Sequence, residues 1–205
     1  MNLPNKLTLS RVVMAILIII ILLGGDYILE LFGTSFPTLF INESLVVDSK
    51  YIVAGVLFIL ASLTDFLDGY IARKYNLITD FGKLMDAIAD KILVNSVLII
   101  LAAQGEIHPI IPVVVIIRDS VVNSIKMLAA SNGKVVAAIK SGKLKTAAMM
   151  VGISLVFFYN IPFEFINIRV DLGLLYFACI MSVISAWQYF NLNKNIIFPK
   201  KENSK

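Results

Sequence analysis

YIVAGVLFILASLTDFLDGYIA, residues 51–72, and LMDAIADKILVNSVLIILAA, residues 84–103, decide the fold. Each is close to the roughly 20 residues that carry an α-helix across a hydrocarbon core. Each is predominantly apolar, and each carries two aspartates, Asp65 and Asp68 in the first and Asp86 and Asp90 in the second. Exposed strands do not cross lipid, because their backbone groups would go unpaired there. Both stretches therefore read as membrane helices.

The surrounding sequence extends this reading. Segments 8–23, 109–130, 146–161 and 172–190 are also long and apolar, which makes six spans in all. Apolar residues make up 59% of the 205-residue chain and charged residues 16%, against roughly 45–50% and about 25% in soluble domains. A chain of this size has too little interior to hide so much apolar surface, so lipid must cover the rest. The fold expected is all-α and polytopic, a single membrane domain over residues 1–205. The net charge of +4 suits contact with anionic lipid headgroups and is too small and scattered for a nucleic-acid surface. The single cysteine, Cys179, reads as a small buried hydrophobe. The single histidine, His108, reads as a loop residue. The sequence around Gly24-Gly25-Asp26 is a poor cleavage site, so the first apolar stretch reads as a retained span.

Basic residues set the orientation, because cytoplasmic connections are enriched in lysine and arginine. Lys6 and Arg11 precede or open the first span; Arg73, Lys74 and Lys83 frame the second connection; Lys134, Lys140, Lys143 and Lys145 crowd the fourth; Lys194, Lys200, Lys201 and Lys205 follow the sixth. The intervening connections are poor in basic residues. Both termini are therefore expected in the cytoplasm, with a polar cavity for anionic substrates opening on the same side of the cell membrane.

A carboxylate at the centre of a membrane helix costs about 2.5–3.5 kcal/mol on insertion scales, so four at mid-depth would cost on the order of 10 kcal/mol. The spacing suggests what offsets this. Asp65 and Asp68 are i and i+3, Asp86 and Asp90 are i and i+4, and each pair shares one helix face. On a helical hairpin the two pairs meet at similar depth. Converging carboxylates need a counter-charge, and oxygen-only ligands select hard cations such as Mg²⁺ or Mn²⁺. Four are enough for two ions, the arrangement used for in-line phosphoryl displacement. The competing reading is a structural ion-pair network with Arg73, Lys74, Lys83 and Lys91. Gly69, Ala72 and Gly82 lie among the acids, where small side chains admit a ligand or a neighbouring helix.

Together these residues read Asp65-x2-Asp68-Gly69-x2-Ala72-Arg73-x8-Gly82-x3-Asp86-x3-Asp90. The pattern matches every fixed position of the CDP-alcohol phosphatidyltransferase signature, and the chain resembles that family in span number and placement as well. The resemblance implies an enzyme that cleaves a CDP-linked donor and moves its phospho-alkyl group to an alcohol, releasing CMP. It further implies that the four aspartates bind two divalent ions, that Asp90 takes the acceptor's proton, and that Gly69, Ala72, Arg73 and Gly82 line the nucleotide site. Members are often homodimers.

The opening Leu3-Pro4-Asn5-Lys6-Leu7-Thr8-Leu9-Ser10-Arg11 is similar to the bacterial phosphatidylglycerophosphate synthase branch, as are Ile117-Arg118-Asp119 and Gly142-Lys143-Leu144-Lys145-Thr146. The branch implies CDP-diacylglycerol as donor, glycerol 3-phosphate as acceptor, and nucleotide contacts from Asn5 and Thr8; alone, Thr8 reads as a helix N-cap. Asp119 departs from the glutamate, Lys126 from the arginine and Ala87 from the proline that many members carry.

The basic residues support this branch chemically. Arg118 and Lys126 are i and i+8 on one helix, nearly on one face, and buried cations in lipid are usually functional. With Lys143 and Lys145 they form a candidate site for the acceptor's phosphate, although long side chains near helix ends also snorkel to the interface. Another phosphorylated polyol, such as inositol phosphate, is the alternative acceptor. A divalent-cation transporter is the competing class. It would spread its acids across several spans, whereas here they cluster on two.

Overall fold

The computed structural model describes residues 3–41, 45–75 and 79–198. Six long helices dominate: α1 Leu3–Leu31, α2 Ser49–Lys74, α3 Asp80–Ala103, α4 Ile110–Ser131, α5 Lys140–Phe157 and α6 Val170–Leu192, followed by a single-turn α7, Lys194–Ile197. Three of them, over Pro4–Leu31, Ser49–Ala72 and Val170–Leu192, are long and apolar enough to cross a membrane by length and composition. The chain is a membrane protein of helical architecture. Helices α3, α4 and α5 carry charges that lower their mean hydropathy, and these charges belong to the clusters described below.

Helix α1 is longer than the expected 8–23 span. Its 29 residues rise roughly 43 Å, and the helix runs on through Gly24-Gly25. Gly25 serves packing here. A Cβ at this position would lie 2.8 Å from the ring of Phe36, so the missing side chain lets the loop fold back on the helix. The early start also corrects the N-cap reading of Thr8. This residue sits inside α1, and its hydroxyl donates to the Pro4 carbonyl at 3.1 Å.

The first connection contains a short hairpin, β1 Thr38–Ile41 and β2 Leu45–Asp48, paired antiparallel with Thr38 opposite Asp48. The all-helical expectation missed it, because four-residue strands carry little periodic signal. The hairpin ends directly on α2, where the Asp48 carboxylate caps the helix by accepting from the Lys50 amide at 3.0 Å.

The packing follows burial. Along α1, Ala15, Ile18 and Leu22 are buried while Ile16, Leu17 and Ile20 are exposed, the single inward stripe of a helix that faces lipid elsewhere. The inward residues join Phe58, Leu98, Ile153, Phe157 and Leu175 in one core drawn from α1 through α6. Two glycines bring backbones together. A Cβ on Gly55 would lie 2.7 Å from Phe157 Cβ, and one on Gly152 would lie 2.9 Å from Leu175. Small residues at helix contacts are how membrane bundles close in the absence of a solvent-driven collapse.

Helix α1 packs along both α2 and α3, which share no comparable contact of their own among the described residues. The acid-bearing helices are thus joined through α1 rather than by a closely packed hairpin. At one end of the bundle the first, third and fifth connections are tied together. The Asp48 amide donates to Tyr159 Oη at 3.0 Å, Tyr51 Oη donates to Gln104 Oε1 at 3.0 Å, and Gln104 Nε2 donates to the Leu22 carbonyl at 2.9 Å. These are the connections poor in basic residues. His108 lies at this end, exposed in the α3–α4 turn. Cys179 is half-buried against the core.

Candidate active site

Two charge clusters occupy the opposite half of the bundle. The first is acidic and is built on α1, α2 and α3. Asp65, Asp68 and Asp86 each place a carboxylate oxygen within 4.8 Å of the others. The guanidinium of Arg11, with 1% of its side chain exposed, sits among them. Its Nη1 lies 2.6 Å from Asp65 and 2.8 Å from Asp86, and its Nη2 lies 2.5 Å from Asp68. Thr8, one turn earlier on the same face of α1, has its hydroxyl 3.2 Å from Asp68 Oδ2, which shares the single proton with the Pro4 carbonyl. Asp68 is buried, whereas Asp65 and Asp86 keep 40% and 51% of their side chains accessible. Among the described side chains, one guanidinium stands against three carboxylates and leaves negative charge in excess, and two of the acids remain accessible to an arriving cation. A hard divalent ion fits this donor set, which is all carboxylate oxygen and already convergent.

The expected spacing is therefore realised for three of the four aspartates. Asp90 is half-buried and is not one of the trio; among the described side chains Lys91 lies beside it, with Nζ 3.6 Å from Asp90 Oδ2. Among the described side chains, the ion-pair partner of the trio is not one of the four cations considered from spacing. It is Arg11, from a helix that sequence spacing does not relate to the acids. The Lys74 ammonium instead lies 5.6 Å from the ring centres of Tyr70 and Tyr75. The side chains of Arg73 and Lys83 lie outside the described residues.

The expected nucleotide residues gather beside the trio. Asn5 Oδ1 accepts from Thr79 Oγ1 at 3.3 Å, and Thr79 Oγ1 in turn caps α3 by accepting from the Gly82 amide at 3.0 Å. A Cβ on Gly82 would stand 2.7 Å from Asn5 Oδ1 and 2.9 Å from Thr79 Oγ1. The bare backbone at Gly82 is what allows the starts of α1 and α3 to meet. Gly69 and Ala72, both half-buried, follow Asp68 along α2.

The second cluster is basic and centres on Asp119, which is 5% exposed. Its Oδ1 accepts from Arg118 Nη1 at 2.8 Å and from Lys145 Nζ at 3.1 Å, and its Oδ2 accepts from the Lys91 ammonium. Arg118 Nε also donates to Ser185 Oγ at 2.9 Å. Arg118 and Lys126 both lie over the ring of Tyr189, at 5.8 Å and 5.5 Å, as their shared helix face requires. A Cβ on Gly142 would lie 3.1 Å from Arg118 Nη2, so this glycine makes room for the guanidinium. Lys143 is exposed. Of the four expected phosphate ligands, Arg118 and Lys145 are brought together, Lys126 joins through Tyr189, and Lys143 stands at the rim.

One member of each cluster, Asp65 and Arg118, lines a cleft of about 880 Å³ between α2 and α5. Asp65 lines one wall, Arg118, Lys126, Lys143 and Tyr189 line the other end, and apolar side chains such as Leu63, Phe66, Met150 and Leu155 line the rest. Such a space accepts a molecule that is anionic at one end and greasy at the other.

Arg11, Lys91, Asp119, Ser185 and Tyr189 complete the site and were not among its expected members. The signal for three of them was present. Arg11, Lys91 and Asp119 are charges inside apolar segments, so the rule that singled out the aspartates applies to them equally.

Comparison with known proteins agrees with this chemistry. The family model for CDP-alcohol phosphatidyltransferases matches residues 1–186. A Bacillus subtilis protein named CDP-diacylglycerol–glycerol-3-phosphate 3-phosphatidyltransferase is 40% identical over 195 residues, covering 94% of this chain and 95% of its own length. Proteins of the same name are 38% identical in Mycoplasma pneumoniae, covering 74% of this chain and 66% of that protein, and 34% identical in Rickettsia bellii, covering 94% and 96%.

Proposed function

The chain belongs to the CDP-alcohol phosphatidyltransferase family, and on that premise we propose that it transfers the phosphatidyl group of CDP-diacylglycerol to sn-glycerol 3-phosphate in phospholipid biosynthesis. The observation that carries this reading is a largely apolar cleft that Asp65 of the carboxylate cluster and Arg118 of the cationic cluster both line. Donor and acceptor are both anionic, and only the donor has acyl chains. The relatives' names specify this pair of substrates.

In the reaction the acceptor's 1-hydroxyl attacks the donor's β-phosphorus. A new ester P–O bond forms, the pyrophosphate P–O bond breaks, and CMP leaves with the electron pair. Asp90 takes the hydroxyl proton. Asn5, Thr8, Gly69, Ala72, Arg73 and Gly82 hold the cytidine diphosphate portion. Arg118, Lys126, Lys143 and Lys145 hold the acceptor's phosphate, and the fixed geometry supplies much of the rate. Asp65, Asp68, Asp86 and Asp90 are the ligands for two divalent ions, Mg²⁺ or Mn²⁺, which when bound neutralise the pyrophosphate and the charge developing on CMP. The convergence of three of these carboxylates supports that assignment.

Six helices of 18 to 29 residues and the tying of the basic-poor connections at one end support six spans over one membrane domain, 1–205, with both termini and the polar cavity facing the cytoplasm. In a Cys179→Ala background, an impermeant thiol reagent outside intact cells should label Thr34→Cys and spare Asn132→Cys. The reverse pattern overturns the orientation.

The test of function is transfer from radiolabelled CDP-diacylglycerol by the purified chain, with glycerol 3-phosphate, glycerol, inositol phosphate, inositol and serine as acceptors. Glycerol 3-phosphate should give a phosphorylated lipid and one CMP per turnover. Preference for a free alcohol rejects the reading.

A further inference from the structure

Asp119 is a carboxylate placed where an anion-binding site would be expected to exclude one. It is buried, and it collects cations from three helices: Lys91 of α3, Arg118 of α4 and Lys145 of α5. Three cations so close repel one another, and an uncompensated buried charge is strongly destabilising. Asp119 offsets that repulsion and holds the three heads around one point. It does not cancel them: even with Asp90, which Lys91 also approaches, three cations stand against two carboxylates and leave an excess of positive charge suited to a phosphate monoester dianion. Lys91 has a second contact. Its Nζ lies 3.6 Å from Asp90 Oδ2, so one ammonium spans the gap between Asp119 and the neighbour that precedes it in the chain. Through this shared ammonium the receptor around Asp119 is placed next to Asp90.

We propose that Asp119 and Lys91 are positioning residues of the transfer: Asp119 assembles Lys91, Arg118 and Lys145 into one receptor for the acceptor's phosphate, and Lys91 indexes that receptor to Asp90. The proposal rests on the reading of Arg118 and Lys145 as acceptor ligands and of Asp90 as the base. It adds that selection of a short phosphorylated alcohol depends on an acidic residue which need not touch the substrate.

Steady-state kinetics of the full chain in mixed micelles, varying each substrate in turn, test both layers. Arg118→Ala should raise KM for glycerol 3-phosphate about 30-fold or more, as expected for the loss of one desolvated charged contact, and an unchanged KM would overturn the acceptor-site reading itself. Given that effect, Asp119→Asn should raise the same KM about 10-fold or more while KM for CDP-diacylglycerol moves less than about 2-fold, and Asp119→Glu should recover most of the loss. Lys91→Met, at a partly exposed and more tolerant position, should show the same selective rise together with a fall in kcat, and Lys91→Arg should recover both. If Arg118→Ala raises the acceptor KM but Asp119→Asn and Lys91→Met do not, the positioning role is wrong. Equal loss in both substrates' KM values, unrelieved by Asp119→Glu and Lys91→Arg, assigns these residues to folding alone and overturns it as well.

Discussion

The two charge clusters are near mirror images. In one, a buried guanidinium is surrounded by three carboxylates from two other helices. In the other, a buried carboxylate is surrounded by three cations from three helices. A network serving only to hold helices together would approach neutrality, since each unpaired buried charge costs several kcal/mol. Among the described side chains neither cluster does, and their excesses are opposite in sign. The acidic cluster calls for cations and the basic one for an anion, and Asp65 of the first and Arg118 of the second line the same cleft. The imbalance, more than the presence of charge, distinguishes a reactive site from a structural clasp. Their openness differs too. Two of the three central carboxylates keep about half of their side-chain surface, whereas Arg118 and Lys145 keep 12% and 6%. The acidic side is arranged for an ion that arrives from solvent, and the basic side is largely assembled in advance.

The sharpest way to break this comparison acts on the acidic side. Chelation with EDTA should reduce turnover to background, and Mg²⁺ or Mn²⁺ should restore it. Full activity in EDTA would make the trio a structural network centred on Arg11. Next in size is Asp90→Asn. Removing a general base lowers the rate by about 10²–10⁴-fold, and this loss should appear in kcat while binding of CDP-diacylglycerol, measured by equilibrium dialysis into micelles, changes little. A near-normal kcat would exclude Asp90 as the base.

Arg11→Met probes the counter-ion itself. Stripping the partner from a buried charge costs about 3–5 kcal/mol, and the lower figure applies here because Asp65 and Asp86 reach solvent. The variant should lose thermal stability in EDTA and regain part of it with Mg²⁺, read as Tm in detergent. A Tm insensitive to Mg²⁺ would show that the trio does not take up the ion. Smallest is Lys126→Ala. This lysine is exposed and rests on the Tyr189 ring, and an exposed ion pair with a phosphate is worth about 0.2–1 kcal/mol. KM for glycerol 3-phosphate should therefore rise only about 2- to 5-fold, well below the effect at Arg118. Equal effects at the two positions would dissolve the distinction between the buried receptor and its rim.

Much of this was legible without coordinates. Composition assigned the chain to the membrane because its apolar content exceeds what a small interior can hold. The spacing of Asp65 with Asp68, and of Asp86 with Asp90, gave one helix face each, since a helix repeats every 3.6 residues whatever surrounds it. The i and i+8 relation of Arg118 and Lys126 predicted a shared face, and both meet Tyr189. What the periodicity could not say is which face of one helix meets which face of another. Arg11 reaches Asp68 and Asp86 across 57 and 75 positions of sequence, and Lys91 and Lys145 reach Asp119 across 28 and 26. Those pairings depend on the packing of α1 between the acid-bearing helices, on α3 meeting α4, and on α4 and α5 both packing against α6. Local pattern determined which residues are charged and which way each helix turns them. Only the tertiary packing decided that one arginine would sit among three acids and one aspartate among three bases, because a buried charge is satisfied by whatever lies near it in space, at any distance along the chain.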